Sequence, residues 1–563
     1  MPTKIHASPE KSKFYATGSP VGASGVPVQG HLARPPLLLG LFFPENRPNS
    51  TKKCDFGRFS RRVKNILLSL QQPIRKNMNP SSVIGREEEL ATISRLYESK
   101  KSEFLAIYGR RRVGKSFLIE EALEDKMSFM AVGLFLKIDS SNPEKVESYR
   151  QVQLKHFYNS LLEYGLEKDG NPEPTNWLDA LGLLKKLIQS KHTRRKVIFI
   201  DELPWLAGPQ SSELLSELGH FWNSWARKRK DVFLIVCGSA TSWMIDNVMR
   251  DYGGLYGRIT ESISLKPFTL AECERYWENR GFHLSRYEIA LTYMVIGGVP
   301  FYMDRFRPDR TMADNINSIY FNKDQARQEF KDVYTGLYSS SDVYINVIRL
   351  LGKKFYGMTR TELLKAVEKK GGGRFSDVLE NLIDSGIIRS YSLYGGARKQ
   401  TVYQLVDFFT LFYLRFVENS DATSWRSVQR SKPFYSWAGH SFELLALGHI
   451  QQLADALRIK EYETPFSWSG ESPDGEGAQL DLIVPATAER ADYICEMKFS
   501  EGKYTLKDED AEEFARQINA LRNSSVHKPS HSIYIALVTS FGVTDSKHRS
   551  HINDIVVLDD LFK

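Results

Sequence analysis

The stretch Gly109-Arg110-Arg111-Arg112-Val113-Gly114-Lys115-Ser116 fits G-x-x-x-x-G-K-[ST], a loop that cradles nucleotide phosphates. Backbone N–H groups and the N-terminus of the helix that follows face the anionic β- and γ-phosphates. Lys115 puts a point charge on those phosphates, and Ser116 offers an oxygen to Mg²⁺. The chemistry expected is phosphoryl transfer from ATP with Mg²⁺. Eighty-five residues after Ser116, Lys196-Val-Ile-Phe-Ile-Asp201-Glu202 closes an apolar run with two acids. Asp201 is expected to hold Mg²⁺ through water, and Glu202 to polarise the attacking water as a general base. Alone, this run would read equally well as a strand ending in a solvated acidic turn; downstream of the loop it reads as the second half of a nucleotide site.

Two further positions bear on that site. Val232-Phe-Leu-Ile-Val-Cys237 ends in Gly238-Ser239-Ala240-Thr241, and Ser239 is placed to sense the γ-phosphate or simply to sit in the strand-to-loop turn. Gly253-Gly-Leu-Tyr-Gly257-Arg258 follows. Arg258 is read either as an arginine finger, in cis or from a neighbouring subunit, or as a surface or salt-bridged Arg. A finger in trans requires a nucleotide-dependent homo-oligomer.

A second set of chemical groups lies near the carboxyl end. Asp481 falls in the strand-like Ala478-Gln-Leu-Asp-Leu-Ile-Val484; Glu496 and Lys498 fall in Asp492-Tyr-Ile-Cys-Glu-Met-Lys-Phe499, 15 residues from Asp481 to Glu496. Strand side chains alternate, so Glu496 and Lys498 share a face, and a hairpin brings Asp481 beside Glu496. Two carboxylates and an ammonium in one pocket suit Mg²⁺ and a water attacking a phosphodiester, with Lys498 orienting the water or neutralising developing charge. Glu443, in Ser441-Phe-Glu-Leu-Leu-Ala, is a further metal-side acid. Gln517 is placed to support the site. A solvated hairpin with a Glu/Lys pair on one face is the alternative.

These groups need a frame. Phe104–Tyr108 reads as a buried parallel strand before the loop and Ser116–Ala122 as the helix after it. Strand runs alternating with helical stretches from 80 to about 265 imply a parallel sheet, with the site at the carboxyl ends of its strands. Residues 270–335 read as helical, broken at Gly297-Gly298-Val299-Pro300. Residues 340–405 read as a winged helix. Thr359 caps one helix, 375–384 forms a recognition-type helix, and Ile387–Tyr391 with Thr401–Leu405 forms the wing around Gly395-Gly396. The second helix carries acids and few bases, which favours a packing module that relays nucleotide state over a major-groove reader. Phe408, Phe409, Phe412, Tyr413 and Phe416 repeat at helical spacing and read as core.

The residues of 80–420 resemble the archaeal-type P-loop ATPases, a clade of AAA+/STAND-like proteins also common in bacteria. Ile84-Gly-Arg-Glu-Glu-Glu-Leu90, Tyr108–Ser116, Phe199–Leu203, Leu255–Arg258, Leu265-Lys-Pro-Phe268 and Gly297–Phe301 carry the resemblance. It implies an ATPase core with a helical lid and a winged helix. Residues 430–563 resemble the restriction-endonuclease-like PD-(D/E)xK superfamily, with Leu480 where the motif's Pro would stand. This implies an ATPase whose nucleotide state controls a metal-dependent nuclease-like domain. The alternative is a switch that binds DNA or a protein partner without cutting. The fold class is therefore α/β: a disordered basic tail over 1–77, a P-loop parallel-sheet core over 78–268, a helical lid over 269–335, a winged helix over 336–425 and an α/β nuclease-like domain over 426–563.

Composition narrows the setting. The chain has 563 residues and a formal net charge of +8. The first 77 residues hold 13 Lys/Arg against 3 Asp/Glu, so the remainder is −2 and carries no global nucleic-acid-like charge. Rich in Pro, Gly and Ser, this tail cannot bury a core. It reads as an over-extended start ahead of Met78 or as a basic arm for nucleic acid. Its apolar run Pro35–Phe43 is far short of a membrane span. The four cysteines form no C-x-x-C pair, which fits reduced thiols in a cytoplasmic protein.

Overall fold

A computed structural model describes residues 83–563 apart from 137–141, 210, 251–254, 256, 336–340, 368–372, 396–397, 472–474 and 476. The reading of 1–77 as a basic tail lies outside the described residues, as do Gly253, Gly254 and Tyr256.

Five apolar runs form a wholly parallel sheet. They are β1 (Glu103–Tyr108), β2 (Met127–Val132), β3 (Lys196–Asp201), β4 (Val232–Gly238) and β5 (Glu261–Ser264), in the order β2-β3-β4-β1-β5. β3 and β4 are buried along their whole length, as continuous apolar strands covered on both faces must be. Alternation divides their side chains between two cores. Leu105, Ile107, Val197, Phe199, Phe233 and Ile235 pack on one side with Ile93 and Leu118. Phe104, Ile198, Ile200, Leu234 and Val236 pack on the other with Trp177 and Trp222.

The expected helical stretch contains Leu270–Asn279, Arg286–Ile296, Met312–Tyr320 and Lys323–Thr335. Thr269/Glu272 and Ser285/Glu288 start the first two as capping boxes. Gly297 and Gly298 both take positive φ, and a Cβ on Gly298 would meet the Phe268 carbonyl at 2.5 Å. That approach explains the Gly-Gly break before Pro300.

The stretch expected to form a winged helix contains helices Ser341–Gly352, Arg360–Ala366 and Gly373–Asp384, the short β6 (Met358–Thr359), and the hairpin β7 (Ile388–Gly395) and β8 (Arg398–Leu405). Thr359 and Glu362 form the capping box. The helix Gly373–Asp384 packs against Thr241–Met244 beyond β4. Burial and the charges of Asp384 and Asp377 push up the carboxyl of Asp246 there.

The hairpin also joins a larger sheet. β7 pairs in parallel with β9 (Phe466–Glu471), and β10 (Gly477–Ala486), β11 (Ala491–Lys498), β12 (Ser532–Thr539) and β13 (Asp554–Val557) complete the order β13-β12-β11-β10-β9-β7-β8-β6. β10 and β11 are antiparallel; β11, β12 and β13 are parallel. Helices Lys432–Gly448 and Asp508–Arg522 pack on this sheet. One apolar core runs from the helical stretch through Phe409, Phe412, Tyr413 and Phe416 of the helix Phe408–Phe416 to Val484 and Cys495 of the large sheet, so the aromatic stripe is core. Cys237, Cys273 and Cys495 are buried free thiols. Among the described residues no helix is long and apolar enough to cross a membrane.

Candidate functional site

The first site gathers where β1, β3 and β4 end, at the carboxyl edge of the parallel sheet. β1 runs into the loop, and the helix Lys115–Leu123 starts immediately after Gly114. Gly109 has φ +142°, and a Cβ there would sit 2.2 Å from the Leu265 carbonyl oxygen. Gly114 has φ +91°. These positions demand glycine for two different reasons, close approach at the first and backbone hand at both. Val113 is buried in the sheet core and anchors the loop's centre.

Lys115 is buried and curls back over its own loop, donating to the carbonyls of Gly109 at 2.9 Å and Arg110 at 3.0 Å. Burial lowers its pKa, against the pull of Glu202 and Asp201. Ser116 Oγ donates to Asp201 Oδ2 at 2.6 Å. These oxygens sit together as a hydroxyl and a carboxylate sharing one Mg²⁺ must, so the donor set fits that ion. The Asp201 Oδ1 atom accepts from the Glu202 N–H at 2.9 Å. Glu202 takes a left-handed φ of 48°, which turns its side chain toward Ser239. Both the Ser239 hydroxyl (2.9 Å) and its N–H (3.2 Å) donate to Glu202 Oε2. Burial raises the pKa of Glu202; Lys115 opposes this and the charge of Asp201 adds to it. Ser239 therefore stands on the acid itself, a partner its position at the end of β4 did not reveal.

The three loop arginines are each taken up by another part of the chain. Arg110 pairs with Asp407 inside the core. Arg111 donates to the Asp332 carbonyl at 2.6 Å and lies over the Trp205 ring. Arg112 pairs with Glu329 and stacks on Phe301, 4.0 Å from its centroid. Glu329 also accepts from the Tyr302 hydroxyl at 2.9 Å. The loop is thus clamped to the helix Lys323–Thr335 and to the N-terminus of Phe408–Phe416. Asp407 caps that helix, accepting from the Thr410 N–H. Arg258 lies exposed in a turn and makes no ion pair among the described residues.

The second set of groups lies on the large sheet. Leu482 faces Cys495 in the β10–β11 register, which sets Asp481 next to Glu496. Lys498 Nζ donates to Glu496 Oε1 at 2.8 Å. Burial works against the charge on Lys498, and Glu496 outweighs it and raises the pKa. Burial, then the charge of Glu443, pushes the Asp481 carboxyl up to about 6. Gln479 donates to Asp481 Oδ1 at 2.8 Å, and Gln517 donates to the Gln479 carbonyl at 3.4 Å. The buried Gln517 thus backs the strand that carries Asp481. Glu443 approaches from the helix Lys432–Gly448, with His440 Nδ1 3.4 Å from its Oε2. Glu443 and Asp481 line one cavity of about 130 Å³, together with Tyr356, Arg389 and Tyr391 from β7 and the segment before β6. Among the described residues no three His, Cys, Asp or Glu side chains are grouped closely enough to hold a metal. Mg²⁺ keeps several of its waters and needs one or two carboxylates, so Asp481 with Glu443 or Glu496 fits it in donor type and charge.

Residues 84–306 match the family model of an ATPase domain predominantly from Archaea, and the chain carries an archaeal-type ATPase domain. The uncharacterized protein MJECL04 of Methanocaldococcus jannaschii is 24% identical over 449 residues, 77% of this chain and 90% of that protein. Among solved structures, the Walker-type ATPase PABY2304 of Pyrococcus abyssi is 19% identical with a TM-score of 0.44, covering 61% of this chain and 99% of that one. The Aeropyrum pernix ORC2 protein in its ADPNP–ADP complexes is 15% identical with a TM-score of 0.35, covering 60% and 95%.

Proposed function

We propose that this chain hydrolyses ATP with Mg²⁺ at its loop site, and that the nucleotide state governs a metal-dependent phosphodiester-cleaving site at Asp481, Glu496 and Lys498 acting on DNA. The observation that carries the reading is the placing of Asp481, Glu496 and Lys498 on one hairpin, with Glu443 facing the same cavity as Asp481.

At the loop site, Lys115 exchanges its two carbonyl acceptors for phosphate oxygens. Ser116 and Asp201 would hold Mg²⁺, whose charge would offset that developing on the phosphates. Glu202, with its raised pKa, accepts the proton of the attacking water, and Ser239 fixes which carboxylate oxygen is turned to that task. Arg258, exposed and without an ion pair among the described residues, is available to the nucleotide of a neighbouring subunit.

At the second site a bound divalent cation would offset the burial and the repulsion from Glu443 that raise Asp481, and would lower the pKa of an attacking water. Lys498, held by Glu496, orients that water or meets the developing negative charge. Coupling is supported by a covalent and hydrogen-bonded route. Arg110 holds Asp407, Asp407 follows β8, and β8 pairs with β7, which borders both β9 and the acid-lined cavity.

A second reading is a switch that binds nucleic acid or a protein partner without cutting. The absence of a three-acid group among the described residues favours it. Incubating the full chain with plasmid and single-stranded DNA, with and without ATP, in Mg²⁺ or Mn²⁺, separates the two. Cleavage that requires Asp481 supports the first; metal binding without cleavage in every nucleotide state supports the second.

A further inference from the structure

We propose that Arg389 is the phosphate-binding residue of the Asp481 site, so that the β7–β8 hairpin serves as the substrate-side wall of that site and not as a reader of the major groove. The proposal rests on the phosphodiester reading of Asp481, Glu496 and Lys498 and adds to it the residue that grips the substrate.

Arg389 is half-buried on β7 and lines the cavity that Glu443 and Asp481 also line. Burial lowers its pKa to about 10, which leaves it charged at neutral pH. A charged guanidinium in such a place normally pairs with a carboxylate. Arg389 makes no salt bridge among the described residues, although two acids share its cavity. Its Nε donates to Gln404 Oε1 at 2.6 Å, and its guanidinium lies 4.6 Å from the Tyr391 ring centroid. Gln404 is itself fixed, donating to the Phe355 carbonyl at 2.7 Å. The Tyr391 hydroxyl donates to the Tyr356 carbonyl at 2.6 Å. The arginine is therefore held from behind at Nε and stacked on one face, and neither terminal nitrogen has a hydrogen-bond partner among the described residues.

A rigid fork whose two terminal nitrogens are free among the described residues is the geometry that binds a phosphate bidentately. The cavity of about 130 Å³ is smaller than the roughly 300–1,000 Å³ of pockets that enclose a whole small ligand. It suits a phosphate group with its waters, which is the part of a nucleic acid that a cleavage site must hold. The carboxylates in the same cavity would repel that phosphate, so an anion would enter only with a cation on Asp481. Arg389 and the cation would then act on the same group.

The test uses the full chain and a fluorescent single-stranded DNA oligonucleotide, with binding measured in Ca²⁺ and cleavage in Mn²⁺. Arg389→Gln should weaken DNA binding and raise KM by roughly 10- to 100-fold, the loss of a charged bidentate contact. Arg389→Lys, which keeps the charge but not the fork, should recover only part of this. Both variants should bind Mn²⁺ without DNA, hydrolyse ATP and melt like the wild type. If the wild type binds and cuts and Arg389→Gln does so with unchanged Kd and KM, the proposal is overturned alone. If Arg389→Lys loses Mn²⁺ binding together with DNA binding, Arg389 shapes the acids and does not bind phosphate, which also overturns it. A wild type that binds Mn²⁺ but no DNA removes the phosphodiester reading itself, and this proposal with it.

Discussion

Arg110 of the phosphate loop and Asp407, 297 residues further along the chain, form a buried ion pair, with Arg110 Nε 2.7 Å and Nη2 2.6 Å from Asp407 Oδ1. Both side chains are about 5% exposed. Burial disfavours the guanidinium charge, and Asp407 more than offsets this, holding the arginine above its ordinary pKa. Asp407 also caps the helix Phe408–Phe416. One carboxylate thus fixes the nucleotide loop and the start of a core helix together.

Removing one partner of this pair should cost far more than removing both. Asp407→Asn keeps a capping oxygen but strands a buried guanidinium, a loss of about 3–5 kcal/mol. Arg110→Met combined with Asp407→Asn should recover much of that stability, because no unpaired charge remains. Thermal unfolding of the two single variants and the double variant gives the coupling. Additive losses would mean that the pair does not hold the loop to the helix.

Hydrolysis should depend on Lys115 and Glu202 in different ways. Lys115→Ala removes the charge on the phosphates and should abolish nucleotide binding. Glu202→Gln should keep binding and slow turnover by roughly 100- to 10,000-fold, the span of general-base catalysis. Titration with a fluorescent ATP analogue and phosphate release report the two effects separately. Unchanged turnover in both variants would remove the site assignment.

Gly109→Ala tests the close approach of the loop to Leu265. The added methyl would lie 2.2 Å from a backbone oxygen at a φ of +142°, so the loop must move. ATP affinity should fall at least tenfold while the far-UV spectrum stays the same. Wild-type affinity would show that the loop tolerates displacement.

His449 gives a signed pH dependence. Its Nε2 accepts from the Leu270 N–H at 3.0 Å, and its Nδ1 lies 2.8 Å from the Leu445 carbonyl, so the neutral ring fits. Burial lowers its pKa below the ordinary 6.5. Below pH 6.5 the unfolded chain takes up a proton that the folded chain refuses. Stability at this residue is therefore present above pH 6.5 and lost as pH falls toward the folded value. Urea midpoints at pH 7.5 and 5.5 should differ less in His449→Gln than in the wild type. An equal difference in both would show that His449 does not contribute.

What could be read from sequence was local. Lys115 and Ser116 follow an apolar run, and Asp201 and Glu202 close another, so strand, loop and helix were visible within a dozen residues of each. The pairing of Asp481 with Glu496 was legible because a hairpin makes neighbours of nearby strands. The partners of Arg110 and Arg112 were not. Asp407 and Glu329 lie more than 200 residues from the loop, and no periodicity encodes which acid a distant arginine meets. The pairing of β7 with β9 is equally silent, because strand patterns give faces but not the neighbour across a parallel register. That pairing brings Arg389 to the acids, whereas the wing pattern alone suggested only a packing module or a DNA reader.

The most direct test of the account is DNA cleavage by the full chain in Mn²⁺, with and without ATP, in the wild type, Glu202→Gln and Asp481→Asn. The wild type should cut at a rate that ATP changes. Glu202→Gln should hold the ATP-bound rate without decay as ATP persists, and Asp481→Asn should not cut at all. Cleavage by Asp481→Asn at the wild-type rate, or a wild type that binds Mn²⁺ and cuts nothing in any nucleotide state, would contradict it.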